Sequence, residues 1–224
     1  MAAVELVERL RRIEVSALCD ADKDLPVLDP GIRAVVRDVR MVGPALTVLA
    51  QDDHLPVFSA LAAAAPGDVL VIGTGGGSRA VVGELVTTEA RRRGIAGIVI
   101  DGLCRDLQGL RRVGLPLFAR GTVPMSGSSV ARTPLRAPLR CGGVDVAPGD
   151  LVFGDDDGVV IAGPERIARA IDTAEGIARS ERVMLEAIHR GEALHDLTNY
   201  GEHVERLDEG ERSRLAFRVD ADAR

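Results

Sequence analysis

The chain has 224 residues, of which 46% are hydrophobic and 28% are charged, and this balance favours one globular domain with a sizeable core. Its 28 Lys and Arg residues against 34 Asp and Glu residues give a formal charge of −6, so its overall charge does not favour binding to nucleic acid or anionic lipid. No apolar run approaches the length of a membrane span, and the amino terminus lacks the pattern of a secretory leader. Cys19, Cys104 and Cys141 are widely spaced, which predicts neither a disulfide framework nor a zinc site and favours a cytoplasmic protein.

The first 65 residues predict short helices followed by strands. Residues 3–12 place Val4, Val7 and Leu10 at helical spacing on one face, and residues 15–21 indicate a second helix. Apolar segments around the turn at residues 29–31 predict strands at 32–36 and 45–50, and a third helix follows at 55–65.

From Pro66 the pattern becomes regular and predicts strands alternating with helices. This order indicates a largely parallel sheet with helices on both faces, and the shorter Gly-rich strands after Gly127 indicate a β-meander. We therefore expect a single α/β domain over residues 1–190 and a charged arm or tail over residues 191–224. The predicted strands are 69–72, 97–101, 115–119, 144–146, 151–153 and 159–161, and the predicted helices are about 80–93, 106–113 and 164–190.

Two predicted strand ends carry residues suited to binding a small anion. The first is the Gly-rich loop 73–78, which leads to Gly83, and the second is residues 101–106. In an α/β sheet, ligands bind at the carboxyl ends of strands, so neighbouring strands would bring these ends together. Helix-start N–H groups and Arg105 suit a carboxylate, and Asp106 offers a hard oxygen ligand for Mg²⁺ or Mn²⁺. This combination predicts a site for a metal-bound 2-oxo acid.

Each of these features also has a purely structural interpretation. The Gly-rich loop lacks both the GxGxxG spacing and the Lys of a phosphate-binding loop, so it is equally consistent with an ordinary turn. An adjacent Arg-Asp pair is, taken alone, more typical of a helix start with Asp106 in the capping turn. The histidines are scattered without metal-ligand spacing, residues 155–158 are typical of a hairpin turn, and Cys104 has no partner base in the sequence.

A longer block resembles a known family. The stretch GELVTTEARRRGIAGIVIDGLCRDLQGLRRVGLPLFARGTVPMSG, residues 83–127, closely resembles the central block of the RraA-like family, which includes 4-hydroxy-4-methyl-2-oxoglutarate aldolases. The segments LDPGIRAV at 28–35, APGDVLVI at 65–72 and VAPGDLVFGDDDGVVI at 146–161 are also similar to that family. The resemblance covers roughly residues 15–180.

The resemblance implies roles for individual residues. Aldolases of this family have an acidic residue, twenty intervening residues and then Arg-Asp, a spacing that Glu84, Arg105 and Asp106 match. It implies that Asp106 holds a divalent metal, Mg²⁺ or Mn²⁺, and that Arg105 binds the oxo and carboxylate oxygens of the substrate. Glu84 would orient or activate a water that moves a proton. Its side chain is one methylene longer than the Asp of some aldolases, which alters the water it can polarise. Backbone N–H groups over the start of the helix would bind the substrate, at Gly83, Glu84, Leu85 and Val86.

The resemblance also implies a fold, an activity and an assembly. The expected fold is a compact α/β/α-type sandwich with a swivelling-domain-like β core, assembled as a homotrimer or homohexamer. The expected activity is metal-dependent retro-aldol cleavage of a 4-hydroxy-2-oxo acid to pyruvate, with oxaloacetate decarboxylation as a related reaction. The partner would then be a small 2-oxo acid, not a nucleic acid or a membrane.

Two other functions compete with the lyase. One is a non-catalytic RraA-like regulator that binds a ribonuclease, although such members tend to lack the complete acid and Arg-Asp set. The other is methyl transfer to a menaquinone precursor, for which the GxGxG match at residues 73–77 is weak support.

Overall fold

The computed structural model describes residues 3–218, and residues 1–2 and 219–224 of the predicted domain and tail lie outside the described part. Helices and strands alternate through the middle of the chain, as predicted. The helices are α1 (Ala3–Leu10), α2 (Val15–Ala21), α3 (Leu55–Ala63), α4 (Glu84–Arg92), α5 (Leu107–Val113), α6 (Pro164–His189) and α7 (Tyr200–Asp208). The strands are β1 (Arg33–Ala34), β2 (Met41–Leu49), β3 (Val69–Gly73), β4 (Ala80–Val82), β5 (Gly97–Cys104), β6 (Leu117–Thr122), β7 (Leu139–Cys141), β8 (Val144–Val146), β9 (Leu151–Asp155) and β10 (Gly158–Ala162).

The main sheet has the strand order β1-β6-β5-β3-β2-β9-β10, and β4 pairs with the far end of β5. The pairs among β2, β3, β5 and β6 are parallel, whereas β1, β9 and β10 join antiparallel at the edges. The prediction of a largely parallel sheet is therefore correct for its centre. A separate hairpin is formed by β7 and β8.

The segment between residues 27 and 34 brings the two edges of this sheet together. Val27 forms a bridge with Val160 of β10, and the N–H of Leu28 donates to the carbonyl of Val159 at 2.8 Å. A few residues later, Arg33–Ala34 pairs with β6 at the opposite edge. The sheet is thereby nearly closed into a barrel, and the expected α/β fold with a compact β core is confirmed.

Alternate residues of the central strands pack into different parts of the core, because successive side chains of a strand point to opposite faces. Leu70 and Ile72 of β3 belong to a cluster that includes residues of α3, α4 and α5. Val69 and Val71 pack in another cluster with Phe118 of β6. A third cluster joins α1, α2 and α6 to β9 and β10. Helices therefore cover the outside of the sheet, while apolar side chains fill its interior.

We expect Phe118→Ala to destabilise the protein by about 3–5 kcal/mol, because the fully buried ring would leave a cavity inside the sheet. Urea unfolding would measure the change as a lower midpoint with a similar slope. Phe217→Ala is the matched control, because Phe217 is exposed and its loss should cost less than about 0.5 kcal/mol. A loss below about 1 kcal/mol in Phe118→Ala would show that the core closes around the vacancy.

Several element boundaries differ from the predictions, and two of them lie next to the predicted site. The helix expected from about residue 80 begins at Glu84, because Ala80–Val82 forms the buried strand β4. The strand expected at 97–101 continues to Cys104, since its last residues pair with β4 and β6. Local apolar periodicity could not reveal this pairing, which is made between distant parts of the chain.

The buried face of the first helix was predicted correctly for Val7 and Leu10 but not for Val4. Val4 is 75% exposed, whereas Leu6 and Leu10, four residues apart, pack in the cluster under α6. Val7 is half-buried beside them. The second helix matches its predicted bounds, and the long helix ends one residue earlier than predicted.

After α6 the chain makes few contacts with the rest of the protein. Leu197 packs with Met184 and Ala187 in a small separate cluster, and α7 has no buried residue. The division into a domain at 1–190 and an arm at 191–224 stays a prediction. None of the described helices has the length and apolar character that crossing a membrane requires.

Candidate functional site

Pairing between β4 and β5 brings the two predicted halves of the site together. Val82 pairs with Cys104 in parallel register, so both strands end at the same edge of the sheet. The N–H of Arg105 donates to the carbonyl of Val82 at 3.0 Å. Gly83 and Glu84 consequently lie directly beside Arg105 and Asp106. The sequence predicted that these residues lie close together, but it did not predict the short strand β4 that joins them.

Asp106 has a backbone conformation that directs its carboxylate towards α4. Its φ of 62° and ψ of 42° are left-handed, a conformation that Asp tolerates better than most residues. Asp106 stands before α5 without capping that helix through its side chain. Instead, the N–H of Glu84 donates to Asp106 Oδ2 at 3.1 Å, and Arg105 Nε lies 3.5 Å from the same oxygen. Asp106 is thus the N-cap residue of α5, as the structural interpretation placed it, but its carboxylate is turned towards α4 and does not cap α5.

Gly83 allows this close approach. A Cβ atom at Gly83 would lie 2.5 Å from Asp106 Oδ2 and 3.1 Å from Arg105 Cγ. Both distances are shorter than ordinary van der Waals contact, so a side chain here would displace the Arg105 and Asp106 side chains. The absence of a side chain, and not a special φ angle, is what this position requires.

The start of α4 presents backbone N–H groups beside the carboxylate. The first N–H groups of a helix have no acceptor within it, and here they belong to Glu84, Leu85 and Val86. Glu84 N–H faces Asp106, the Leu85 side chain is exposed, and the Val86 side chain is buried. The side chain of Glu84 turns towards α5, where Arg112 Nη2 donates to Glu84 Oε1 at 3.0 Å.

A pocket of about 340 Å³ lies over these groups and is lined by every predicted site residue, Gly83 to Val86, Arg105 and Asp106. Its wall also contains three polar or aromatic side chains that sequence reasoning missed: His54, Phe58 and Ser126. His54 precedes α3. Its backbone N–H donates to the carbonyl of Ser128 at 2.9 Å, in the segment that connects β6 to β7. No spacing in the sequence links these segments, because their contact is tertiary.

A larger cavity, of about 920 Å³, lies elsewhere on the protein. It lies between the segment at 27–37, the turn at 142–143 and the β9–β10 turn, and it contains none of the predicted site residues. Its charged lining mixes Asp29, Arg33 and Arg37 with Asp156 and Asp157. We place the candidate site in the smaller pocket, because the cation, the carboxylate and the helix-start N–H groups converge there.

Several weaker candidates have structural roles. Cys104 is buried, and burial raises the pKa of its thiol to about 11, so it is poorly suited to act as a nucleophile. The Gly-rich loop leads into β4, not into a helix, and a Cβ at Gly77 would lie 2.6 Å from Asp52 Oδ1. Residues 155–158 form the β9–β10 hairpin turn, as predicted.

The side chains in the pocket are better suited to a hard cation that keeps most of its water ligands than to a structural metal held by several protein ligands. Among residues 3–218, no group of three or more His, Cys, Asp or Glu side chains is placed to hold a metal ion. Asp106 supplies one carboxylate, and both contacts described above involve its Oδ2. Mg²⁺ commonly takes one or two protein carboxylates and completes its shell with water and substrate. The residues present therefore fit such an ion.

Comparison with known proteins identifies several proteins that are similar to this chain. A protein of Halalkalibacterium halodurans named "Putative 4-hydroxy-4-methyl-2-oxoglutarate aldolase" is 37% identical over 162 residues, which cover 71% of this chain and 77% of that protein. An uncharacterized protein from Pseudomonas syringae has a similar solved structure, with a TM-score of 0.77 and 28% identity, covering 86% of this chain and 96% of that one. Streptomyces coelicolor RraAS2, described as an unusual member of the RNase ES inhibitor RraA protein family, has a TM-score of 0.69 and 30% identity, covering 83% and 96% of the two chains.

A family model described as RraA-like, aldolase/RraA, matches residues 15–161. That range includes both strand ends of the site and all the residues that line the smaller pocket. The chain belongs to the RraA-like family.

Proposed function

We propose that this protein is a divalent-metal-dependent lyase that cleaves a 4-hydroxy-2-oxo acid, such as 4-hydroxy-4-methyl-2-oxoglutarate, to pyruvate. The observation that carries the proposal is the convergence of Arg105, Asp106 and the start of α4 on one pocket. The name given to the Halalkalibacterium halodurans relative points in the same direction.

Substrate binding follows from the charges in the pocket. Arg105 is the only Arg or Lys among the described residues that line it, and its planar guanidinium suits two oxygens of a 2-oxo acid. The Leu85 and Val86 N–H groups supply further donors at the positive end of α4. Asp106 would hold Mg²⁺ or Mn²⁺, which supplies Lewis-acid polarisation of the 2-oxo group when bound.

Cleavage requires a proton to leave the 4-hydroxyl group while the bond between C3 and C4 breaks. The electron pair of that bond passes to C3 and forms the enolate of pyruvate, and C4 leaves as the carbonyl of the second product. Arg105 stabilises the charge that develops on the enolate oxygen. A water oriented by Glu84 moves the proton, and protonation at C3 then yields pyruvate.

The same enolate accounts for a second activity. In oxaloacetate the bond between C3 and C4 breaks and C4 leaves as carbon dioxide. The electron pair of that bond stays on C3, which again produces the pyruvate enolate. Because both reactions use this intermediate, we expect oxaloacetate decarboxylation in the same pocket.

The test measures pyruvate release from 4-hydroxy-4-methyl-2-oxoglutarate and from oxaloacetate, with Mg²⁺ or Mn²⁺ and with EDTA. We expect turnover with metal, loss of at least about 90% of it in EDTA, and recovery when Mg²⁺ is restored in excess. Turnover unchanged by EDTA would contradict the metal requirement. No turnover of either substrate with either metal would contradict the proposed lyase.

A regulatory role is the second candidate, and it is favoured by the likeness to a member of the RNase ES inhibitor family. It predicts that the protein forms a complex with a ribonuclease and lowers its cleavage rate without turning over a 2-oxo acid. Ribonuclease inhibition that survives Asp106→Asn would separate this role from the pocket. The homotrimer or homohexamer implied by the resemblance stays a prediction, which light scattering on the purified protein would test.

A further inference from the structure

The Glu84 carboxylate is held by a residue outside the pocket. Arg112 Nη2 donates a hydrogen bond to Glu84 Oε1 at 3.0 Å, which joins the start of α4 to the last turn of α5. Among the described residues that line the pocket, Glu84 is present and Arg112 is not. We propose that Arg112 is a positioning residue that fixes the Glu84 carboxylate for proton transfer, an inference that rests on the proposed lyase function.

Gly109 provides the space that this arrangement needs. It is buried in α5, and a Cβ there would lie 2.3 Å from both Cδ and Oε2 of Glu84. One carboxylate oxygen therefore contacts Arg112 while the other lies over the backbone at Gly109. The carboxylate is confined from two directions by the same helix.

This confinement keeps the carboxylate near the reacting groups. Gly109 follows Asp106 by three residues, so the Glu84 carboxylate packs against α5 about one helical turn from the backbone of Asp106. The backbone of Glu84 is tied to the same place by its bond to Asp106 Oδ2. A water that bridges the carboxylate and the substrate would then have a constant position.

A Glu side chain has several rotatable bonds, and without Arg112 its carboxylate would sample positions away from the pocket. Proton transfer depends on holding the donor and acceptor in hydrogen-bond geometry. The pair is partly exposed, with 65% of the Arg112 side chain and 40% of the Glu84 side chain accessible, so it should contribute little to folding. Loss of Arg112 should thus affect turnover much more than stability.

The first test is a double-variant cycle on pyruvate release. We expect Arg112→Met to lower kcat about tenfold while KM changes less than about twofold, because a positioned acid or base contributes more than this to the rate. In the Glu84→Gln background, Arg112→Met should have no further effect, because the group it positions is absent. Arg111→Met, which removes the same charge from the same helix, should leave kcat within about twofold of the unchanged protein.

Other outcomes of the cycle would overturn the inference. If the losses from Arg112→Met and Glu84→Gln multiply, then Arg112 acts independently of Glu84 and the positioning role is wrong. If Arg112→Met lowers kcat no more than Arg111→Met does, the ion pair has no part in turnover.

A crystal structure of Arg112→Met supplies a readout that does not depend on activity. We expect the Glu84 carboxylate to leave its place over Gly109 or to become disordered, while the Glu84 N–H keeps its bond to Asp106. A carboxylate unmoved over Gly109 would overturn the positioning role even in an active enzyme. If the unchanged protein lacks turnover but the carboxylate moves in the variant, the lyase proposal fails while the structural claim stands.

Discussion

Asp106→Asn is expected to lower metal-dependent pyruvate release at least about a hundredfold while leaving the fold intact. Asn keeps the size of the side chain, tolerates the left-handed backbone of this position and can still accept the Glu84 N–H. It lacks the negative charge that a divalent cation requires. The variant therefore tests metal binding while the hydrogen bond from the Glu84 N–H is kept. Asp106→Ala would remove both at once.

Asp106→Asn should lower both turnover and the affinity for a divalent metal, and each is measured separately. Pyruvate release gives the fall in turnover, and titration with Mn²⁺ should show weaker binding than in the unchanged protein. Thermal unfolding checks that the fold survives. Asp145→Asn is the matched control, because that carboxylate is 86% exposed and lies on the separate β7–β8 hairpin, outside the site pocket. Full turnover in Asp106→Asn would place the metal elsewhere and contradict the proposed site.

Arg105→Ala belongs to the same experiment and should lower kcat by about 10²–10³, because it removes the cation that faces the developing enolate. Mn²⁺ binding should be nearly unchanged in this variant, since Arg105 contacts the Asp106 carboxylate without being a metal ligand. A loss of Mn²⁺ binding equal to that of Asp106→Asn would mean that Arg105 acts mainly by holding Asp106.

Gly83→Ala is expected to lower turnover about a hundredfold, although it replaces no charged residue. The new Cβ would lie 2.5 Å from Asp106 Oδ2, so the carboxylate or the start of α4 must move apart. A displacement of about 1 Å at a reacting centre can cost about a hundredfold in rate. The N–H of Glu84 would also move away from its acceptor.

The control for this variant is another Gly→Ala change, at Gly176 in α6. A Cβ there would meet only Arg179 Nη2 at 3.8 Å, and replacing a helical Gly should stabilise the protein by about 0.5–1 kcal/mol. Turnover should be unchanged in Gly176→Ala. If Gly83→Ala also keeps full turnover, the close approach between α4 and Asp106 is unnecessary for the reaction.

The alternation of apolar runs and turns determined much of the fold without any tertiary information. Strands 69–72, 144–146, 151–153 and 159–161 and the helix at 15–21 were predicted within two residues of their observed bounds. Such elements have strong local signals, since buried parallel strands are continuous apolar runs flanked by Gly and Pro turns. The positions of Glu84, Arg105 and Asp106 near two predicted strand ends also indicated that they would lie close together, and the family resemblance implied their roles.

Tertiary contacts decided the features that give the site its geometry. The short strand β4 exists because its three residues pair with β5, whereas their local sequence continues smoothly into the helix at Glu84. The left-handed turn at Asp106, the close approach of Gly83 and the pairing of Glu84 with Arg112 likewise depend on where two helices meet. His54, Phe58 and Ser126 enter the pocket from distant segments. The sequence by itself thus determined which chemical groups are present at the strand ends. Only the packing of the sheet and helices determined their directions and neighbours, because these depend on contacts between residues far apart in the chain.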